Sequence, residues 1–289
     1  MSTDALFSQI LLGLINGSFY ALLSLGLALI FGLLNVINFA HGALFTTGAF
    51  TAWLLLDLAG VGYWPALVLA PLLVGTLGVI IERTLLRRLY GVDPLYGLLL
   101  TFGLALIIQG LFSLRFGSSG LPYRIPTSLA GAHDLGFVVL PNYRAWVIVF
   151  SSALCFATWY LVERTKLGSY LRAATEDPVL VRAFGVDVPR MMTLTYGAGA
   201  ALAALAGVLA APIYRVSPMM GADQIIVVFA VVVIGGMGSL LGSIVSGFSL
   251  GLVEGITRVV YPEASNTVVF VFMALVLIFK PAGLFGEAR

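Results

Sequence analysis

The sequence predicts an all-α, polytopic membrane helix bundle of eight or nine spans, with broken or re-entrant segments among them. Three observations carry this. Hydrophobic residues make up 60% of the 289 and charged residues only 10%, against roughly 45–50% and about 25% in soluble domains, too few charges to cover a water-facing surface. Mean hydropathy is +1.07. Long stretches also carry no Asp, Glu, Lys or Arg at all.

The first of these, Ala5–Leu56, is long enough for two spans, since one takes about 20 apolar residues. No cationic leader precedes it and the run does not stop after a short core, so residues 1–31 are expected to be a retained first span, not a cleaved signal. Leu58–Ile81, Pro94–Leu114, Ala145–Val162 and Met191–Tyr214 supply one span each. The region Gln224–Tyr261 holds two short ones if Glu254 and Arg258 are tolerated in the second, and Ala264–Phe279 gives a last, short one. None of the runs alternates with the period of two that a barrel requires. The whole chain, 1–289, is expected to form a single transmembrane domain.

The basic residues divide by side. Arg83, Arg87 and Arg88 share one short loop; Arg164, Lys166, Arg172, Arg182 and Arg190 share a longer one, and Lys280 and Arg289 lie in the tail. Alternating crossings put these three groups together, opposite Arg115, Arg124 and Arg144 of the Gly/Pro-rich loop 115–144. The positive-inside rule then makes loop 163–191 and the C-terminus cytoplasmic. The side of the N-terminus depends on whether a re-entrant segment is present.

Small residues recur at four-residue spacing: Gly199, Ala203, Gly207, Ala211, then Gly238 and Gly242, and Gly247, Gly251, Gly255. Such stripes let helices approach closely in lipid and point to packing. Two segments look unlike ordinary spans. Asn35-Val-Ile-Asn38-Phe-Ala-His41-Gly42 puts three polar side chains into the first uncharged run, and the glycines of 235–243 weaken a helix in the C-terminal third. Two readings stand for each: non-helical backbone beside a transport pathway, or a tight turn between hairpin helices. Asn16, Ser18, Tyr20, Asn35, Asn38 and His41 are the polar groups on or between the first two spans. In lipid they are costly unless they line a cavity or bond to neighbouring helices.

Enzymatic readings fail. Lys166 and Lys280 are the only lysines and neither follows a phosphate-loop glycine pattern. Paired axial histidines for haem are lacking, with only His41 and His133 in the chain. Gly117-Ser-Ser-Gly120 resembles a rhomboid motif, but that chemistry needs a histidine base on a later span and no histidine follows position 133. Cys155 is alone, so no intrachain disulfide forms. No catalytic residue, metal or cofactor is expected, and the net charge of +2 gives no reason to expect a nucleic-acid partner. An ion-coupled secondary transporter or a channel for a small polar solute remains the alternative, with Glu254 as its one mid-membrane candidate. Arg258 lies four residues on, a spacing that suits an ion pair.

Loop 163–191 is polar without being a linker. Ser169–Thr175 reads as helix, Pro178 suits the first turn of another that Asp177 can cap, and Gly185 suits its end. A short charged helix on the inner face is a natural docking knob for a partner.

This loop carries G-x-x-L-R-A-A-x-E-D from Gly168 to Asp177 and then R-A-F-G-V from Arg182, and it resembles the coupling loop of branched-chain amino-acid ABC permeases of the LivH type. The opening Gly13-Leu-Ile-Asn16-Gly17-Ser18-Phe-Tyr20-Ala21, the Asn38–Gly42 segment, Gly235–Gly242 and Lys280-Pro-Ala-Gly-Leu-Phe-Gly286 are similar to other parts of that family, in the same order. The chain opens directly on its first span, unlike urea-type relatives with a long soluble extension. The resemblance implies a permease subunit of an ATP-driven importer in the bacterial cytoplasmic (inner) membrane, in contact with lipid. Its partners would be a second, LivM-like permease, two ATP-binding-cassette ATPases that carry out the ATP hydrolysis, and an external substrate-binding protein. It further implies branched-chain or other hydrophobic amino acids as cargo, and Arg172, Glu176, Asp177 and Arg182 as the residues that meet the ATPase.

Overall fold

The computed structural model describes residues 3–34, 36–134, 136 and 138–286. Eleven α-helices are present among them: α1 (Thr3–Leu34), α2 (Ala40–Ala59), α3 (Tyr63–Thr84), α4 (Pro94–Phe116), α5 (Asn142–Arg164), α6 (Lys166–Glu176), α7 (Pro178–Ala183), α8 (Val188–Ala210), α9 (Met220–Gly235), α10 (Leu240–Val260) and α11 (Val268–Phe279). Seven of the described helices are long and apolar enough to cross a membrane, and α9 and α11 are shorter apolar ones. The all-α bundle predicted from the uncharged runs is therefore the fold found. The loop between α4 and α5 adds a small antiparallel hairpin, Ala132–Asp134 with Val139–Pro141, which the apolar periodicity gave no means of foreseeing.

The chain divides into two compact units: Met1–Leu25, Arg124–Phe156 and Ile226–Arg289 in one, Gly26–Tyr123 and Ala157–Ile225 in the other. In the first, the N-terminal part of α1 lies against α10 through the glycine stripe. A Cβ on Gly251 would come 2.3 Å from the Gly13 carbonyl oxygen, and one on Gly247 2.5 Å from Ala21 Cα. Tyr20, Val231, Ile234, Leu250, Val269 and Val276 of α1, α9, α10 and α11 form its apolar core. Small residues bring the axes together, and larger ones fill the remaining space.

The glycine-rich break between α9 and α10 is a turn with Gly236 and Gly238 at φ 102° and 88°. Ser239 caps α10 by accepting from Gly242 N at 3.1 Å. The last carbonyls of α9 need partners that an interrupted helix cannot provide. The C-terminal tail supplies them: Leu284 N donates to Ile234 O at 2.8 Å and Phe285 N to Gly235 O at 3.0 Å.

In the second unit α8 is the central helix, packed against α2 and α3. A Cβ on Gly207 would lie 2.1 Å from Phe45 O, and one on Gly78 2.6 Å from Ala200 Cβ. The stripe at 199, 203, 207 and 211 is buried throughout. By contrast α4 exposes Leu99, Phe102, Leu106, Ile107, Leu111 and Leu114, a face suited to lipid. Between α1 and α2 the backbone is not helical over 36–38, and Thr101 of α4 stitches it. Its hydroxyl donates to Ile37 O and accepts from Phe39 N, both at 3.2 Å.

Candidate functional site

The polar segment between α5 and α8 folds as its residues suggest. Asp177 Oδ1 accepts from Val179 N at 3.0 Å and Leu180 N at 2.9 Å, so it caps α7 with Pro178 at the first helical position. Gly185 then ends the turn at φ 84°. Gly168 marks the fold-back from α5, because a Cβ there would sit 1.4 Å from Val162 O and only glycine fits. The inner side of α6–α7 is anchored: Ala174, Val181 and Val188 are buried together with Leu33 of α1.

Of the four residues assigned to ATPase coupling, Glu176 and Arg182 are exposed and Asp177 serves as the cap. Arg172 turns back onto α5, its Nη1 donating to Glu163 Oε2 at 3.1 Å and Val162 O at 3.3 Å. Both side chains of that ion pair are well exposed, where such pairs contribute only about 0–1 kcal/mol. Beside these charges Val179, Leu180 and Phe184 stand 74%, 53% and 79% exposed. Sequence reasoning missed this apolar tip. Its signal was four large apolar residues in the short stretch 179–184 of a polar loop, more than the one inward position of Val181 can bury.

The pathway candidates fall into two groups. In the first unit Tyr20 OH donates to Glu254 Oε2 at 2.8 Å and Asn16 Nδ2 to Glu254 Oε1 at 3.4 Å. Arg258 pairs with the same carboxylate from one turn on. Glu254 is 5% exposed, and the ion pair anticipated from its spacing is found, with two α1 residues added. Ser18 bonds back to Leu14 O at 2.8 Å, which satisfies its hydroxyl inside its own helix. In the second unit Asn38 Nδ2 donates to Tyr196 OH at 3.2 Å. His41 is fully buried on the first turn of α2, its ring packed at Gly26 of α1, where a Cβ would come 3.0 Å from Cε1. Asn35 lies outside the described residues.

Among the described residues no group of His, Cys, Asp and Glu is placed to hold a metal ion. A second buried carboxylate, Glu82, is bonded to Tyr90 and Thr193. It sits beside Arg83 in sequence, so it reads as the charged edge of a loop although it belongs to α3.

A family model described as "Branched-chain amino acid transport system / permease component" matches residues 9–279. The chain is 31% identical over 292 residues to the high-affinity branched-chain amino acid transport system permease protein BraD of Pseudomonas aeruginosa, covering 96% of this chain and 95% of that one. It is 28% identical over 298 residues to the corresponding permease protein LivH of Escherichia coli, covering 96% and 95%. Against LivM of the same organism it is 27% identical over 293 residues, covering 93% of this chain and 68% of that one. No solved structure matches it.

Proposed function

We propose that this chain, which belongs to the family of branched-chain amino acid transport system permease components, forms one of two membrane-spanning halves of an ATP-driven importer for hydrophobic amino acids. A second, LivM-like permease supplies the other half. Two ATP-binding-cassette subunits lie beneath, and an external binding protein delivers the cargo. The chain is a multi-pass transport component and not an enzyme. It resides in the bacterial cytoplasmic membrane with segment 163–191 and the C-terminus inside, as the placement of its basic residues favours. The whole of 1–289 works as one permease domain.

The observation that carries this reading is the construction of α6–α7. A short polar helix pair is anchored to the bundle on one side by Ala174, Val181 and Val188. On the other it presents Val179, Leu180 and Phe184 among Glu176, Asp177 and Arg182. An apolar knob rimmed by charges has the make-up of an interface centre. Closure of the ATPases would push this knob and rock the spans by rigid-body movement. Asn16, Ser18 and Tyr20, and in the other unit Asn38 and His41, are the groups we assign to the pathway wall or its immediate support. They are polar groups without a fixed strong charge, suited to a passing zwitterion, which leaves tight discrimination to the binding protein.

In liposomes the purified chain should move no leucine under an ion gradient or a leucine gradient. Uptake should appear once the partner permease, both ATPases, ATP and loaded binding protein are added. Uptake by the chain alone would favour the carrier or channel alternative.

The docking role is tested by Phe184→Asp and Glu176→Lys, both of which leave the Asp177 side-chain cap of α7 in place. Each should lower ATPase co-purification by about tenfold, the effect of truncating one interface anchor, at an unchanged membrane level of the permease. Variants that retain both ATPases and import normally would remove these residues from the interface.

A further inference from the structure

Glu82 lies near the end of α3 with none of its surface exposed, and no ion pair involves it among the described residues. Its two oxygens accept from hydroxyls on different elements. Tyr90, past the end of α3, donates to Oε1 at 2.9 Å, and Thr193 of α8 donates to Oε2 at 2.6 Å, its hydroxyl lying also 3.0 Å from Pro189 O one turn back in its own helix. Burial, followed by the bond to Glu82, raises the Tyr90 pKa well above the ordinary tyrosine value, so this donor keeps its proton. A buried carboxylate held only by neutral donors is expensive, and an apolar side chain of similar volume would cost less. Stability alone therefore does not account for it.

Its surroundings do. Helix α8 leads straight out of the coupling segment: Val188 is buried with Val181 of α7 and Ala174 of α6. Thr193 stands little more than a turn further on. Three residues beyond it, on the same face, Tyr196 accepts from Asn38 in the break between α1 and α2. Tyr196 also lies within electrostatic reach of Glu82 and Tyr90. Two polar ties thus join the start of α8 to α3 and to the break. Apolar contacts tolerate sliding, whereas hydrogen bonds to a buried carboxyl group are directional and fix register.

We infer that Glu82 is a positioning residue of the transport cycle, its carboxylate locking α8 to α3 and to the turn at Tyr90 so that movement of α6–α7 carries them as one body. The inference rests on the importer reading. In the complete complex, reconstituted in proteoliposomes with ATP and loaded binding protein, Glu82→Gln should assemble at the wild-type level and hydrolyse ATP. Leucine imported per ATP should fall about tenfold, the effect of losing roughly one buried hydrogen bond. Thr193→Val should behave alike, and Thr193→Ser, which keeps the hydroxyl, should restore the ratio. Wild-type import per ATP in Glu82→Gln would overturn the proposal, as would poor assembly combined with a normal ratio in the complexes that form, since that marks a merely structural role. A wild-type complex with no ATP-dependent uptake would overturn the importer reading, and this inference with it.

Discussion

Leucine in place of Gly48 is expected to remove the folded protein from the membrane, while leucine in place of Gly103 or Gly110 leaves its level unchanged. A Cβ on Gly48 would lie 2.3 Å from Ala204 O and 2.4 Å from Ala204 Cα. Both obstacles are backbone, so no rotamer change relieves the overlap and α2 must withdraw from α8. Overpacking in a core costs typically about 1–3 kcal/mol. In lipid the separated surfaces gain no compensating hydrophobic drive, because acyl chains are as apolar as the helices they touch. A loss of about 4 kcal/mol or more is therefore reasonable, in the class that unfolds marginal proteins. At Gly103 and Gly110 of α4 an added Cβ meets nothing within 4 Å, and leucine is a better helix former than glycine by somewhat less than the roughly 1 kcal/mol that separates alanine from glycine. Membrane-fraction abundance and size-exclusion profiles of detergent extracts test the contrast. Normal accumulation of Gly48→Leu would show that the α2–α8 contact is not what holds this unit together.

What could be read from the sequence was what depends on neighbours along the chain. The spans follow from uncharged runs, because the bilayer imposes its length on every one of them. The cap at Asp177, the start at Pro178 and the end at Gly185 are decided within a few residues, so the loop helices could be placed without knowing the bundle. Asn16, Tyr20 and Asn38 could be singled out because a polar side chain inside an apolar run is anomalous wherever its partner lies. Their partners could not be identified. Asn16 and Tyr20 meet Glu254 from 238 and 234 positions away, and Asn38 meets Tyr196 across 158, separations over which no periodicity carries information. Glu82 was hidden for a different reason. At the border of an apolar run a carboxylate reads as the first residue in water, and only the approach of α8 turns it into a buried group. The same holds for the turn at Gly236. Its glycines announce a break, but the tail residues that complete it, Leu284 and Phe285, lie nearly fifty positions on.

The Glu254 cluster yields the second large effect, and its sign depends on background. Arg258→Met should destabilise the protein more than Glu254→Gln, and adding Glu254→Gln to Arg258→Met should recover part of the loss. Glu254 keeps only 6% of its side-chain surface in contact with the surroundings and Arg258 keeps 36%. Removing the arginine strands a charge that has nowhere to go. Tyr20 and Asn16 still bond it, but neutral donors do not replace a cation, and a cost of about 3 kcal/mol is expected, at the low end for breaking a buried pair. Removing the carboxylate charge instead leaves an arginine that is already a third exposed and long enough to carry its head toward the interface. The glutamine in its place still accepts from Tyr20, so the loss should be about 1 kcal/mol, one weakened hydrogen bond. In the double variant no unpaired charge remains, and the neutral amide costs less to bury than the stranded carboxylate. Thermal unfolding of the detergent-solubilised chain should therefore rank wild type first, then Glu254→Gln, then the double variant, with Arg258→Met last. If Arg258→Met melts no lower than Glu254→Gln, the carboxylate is not confined as the structure places it, and a solvated Glu254 would return to consideration as a group that acts in transport instead of one that joins α1 to α10.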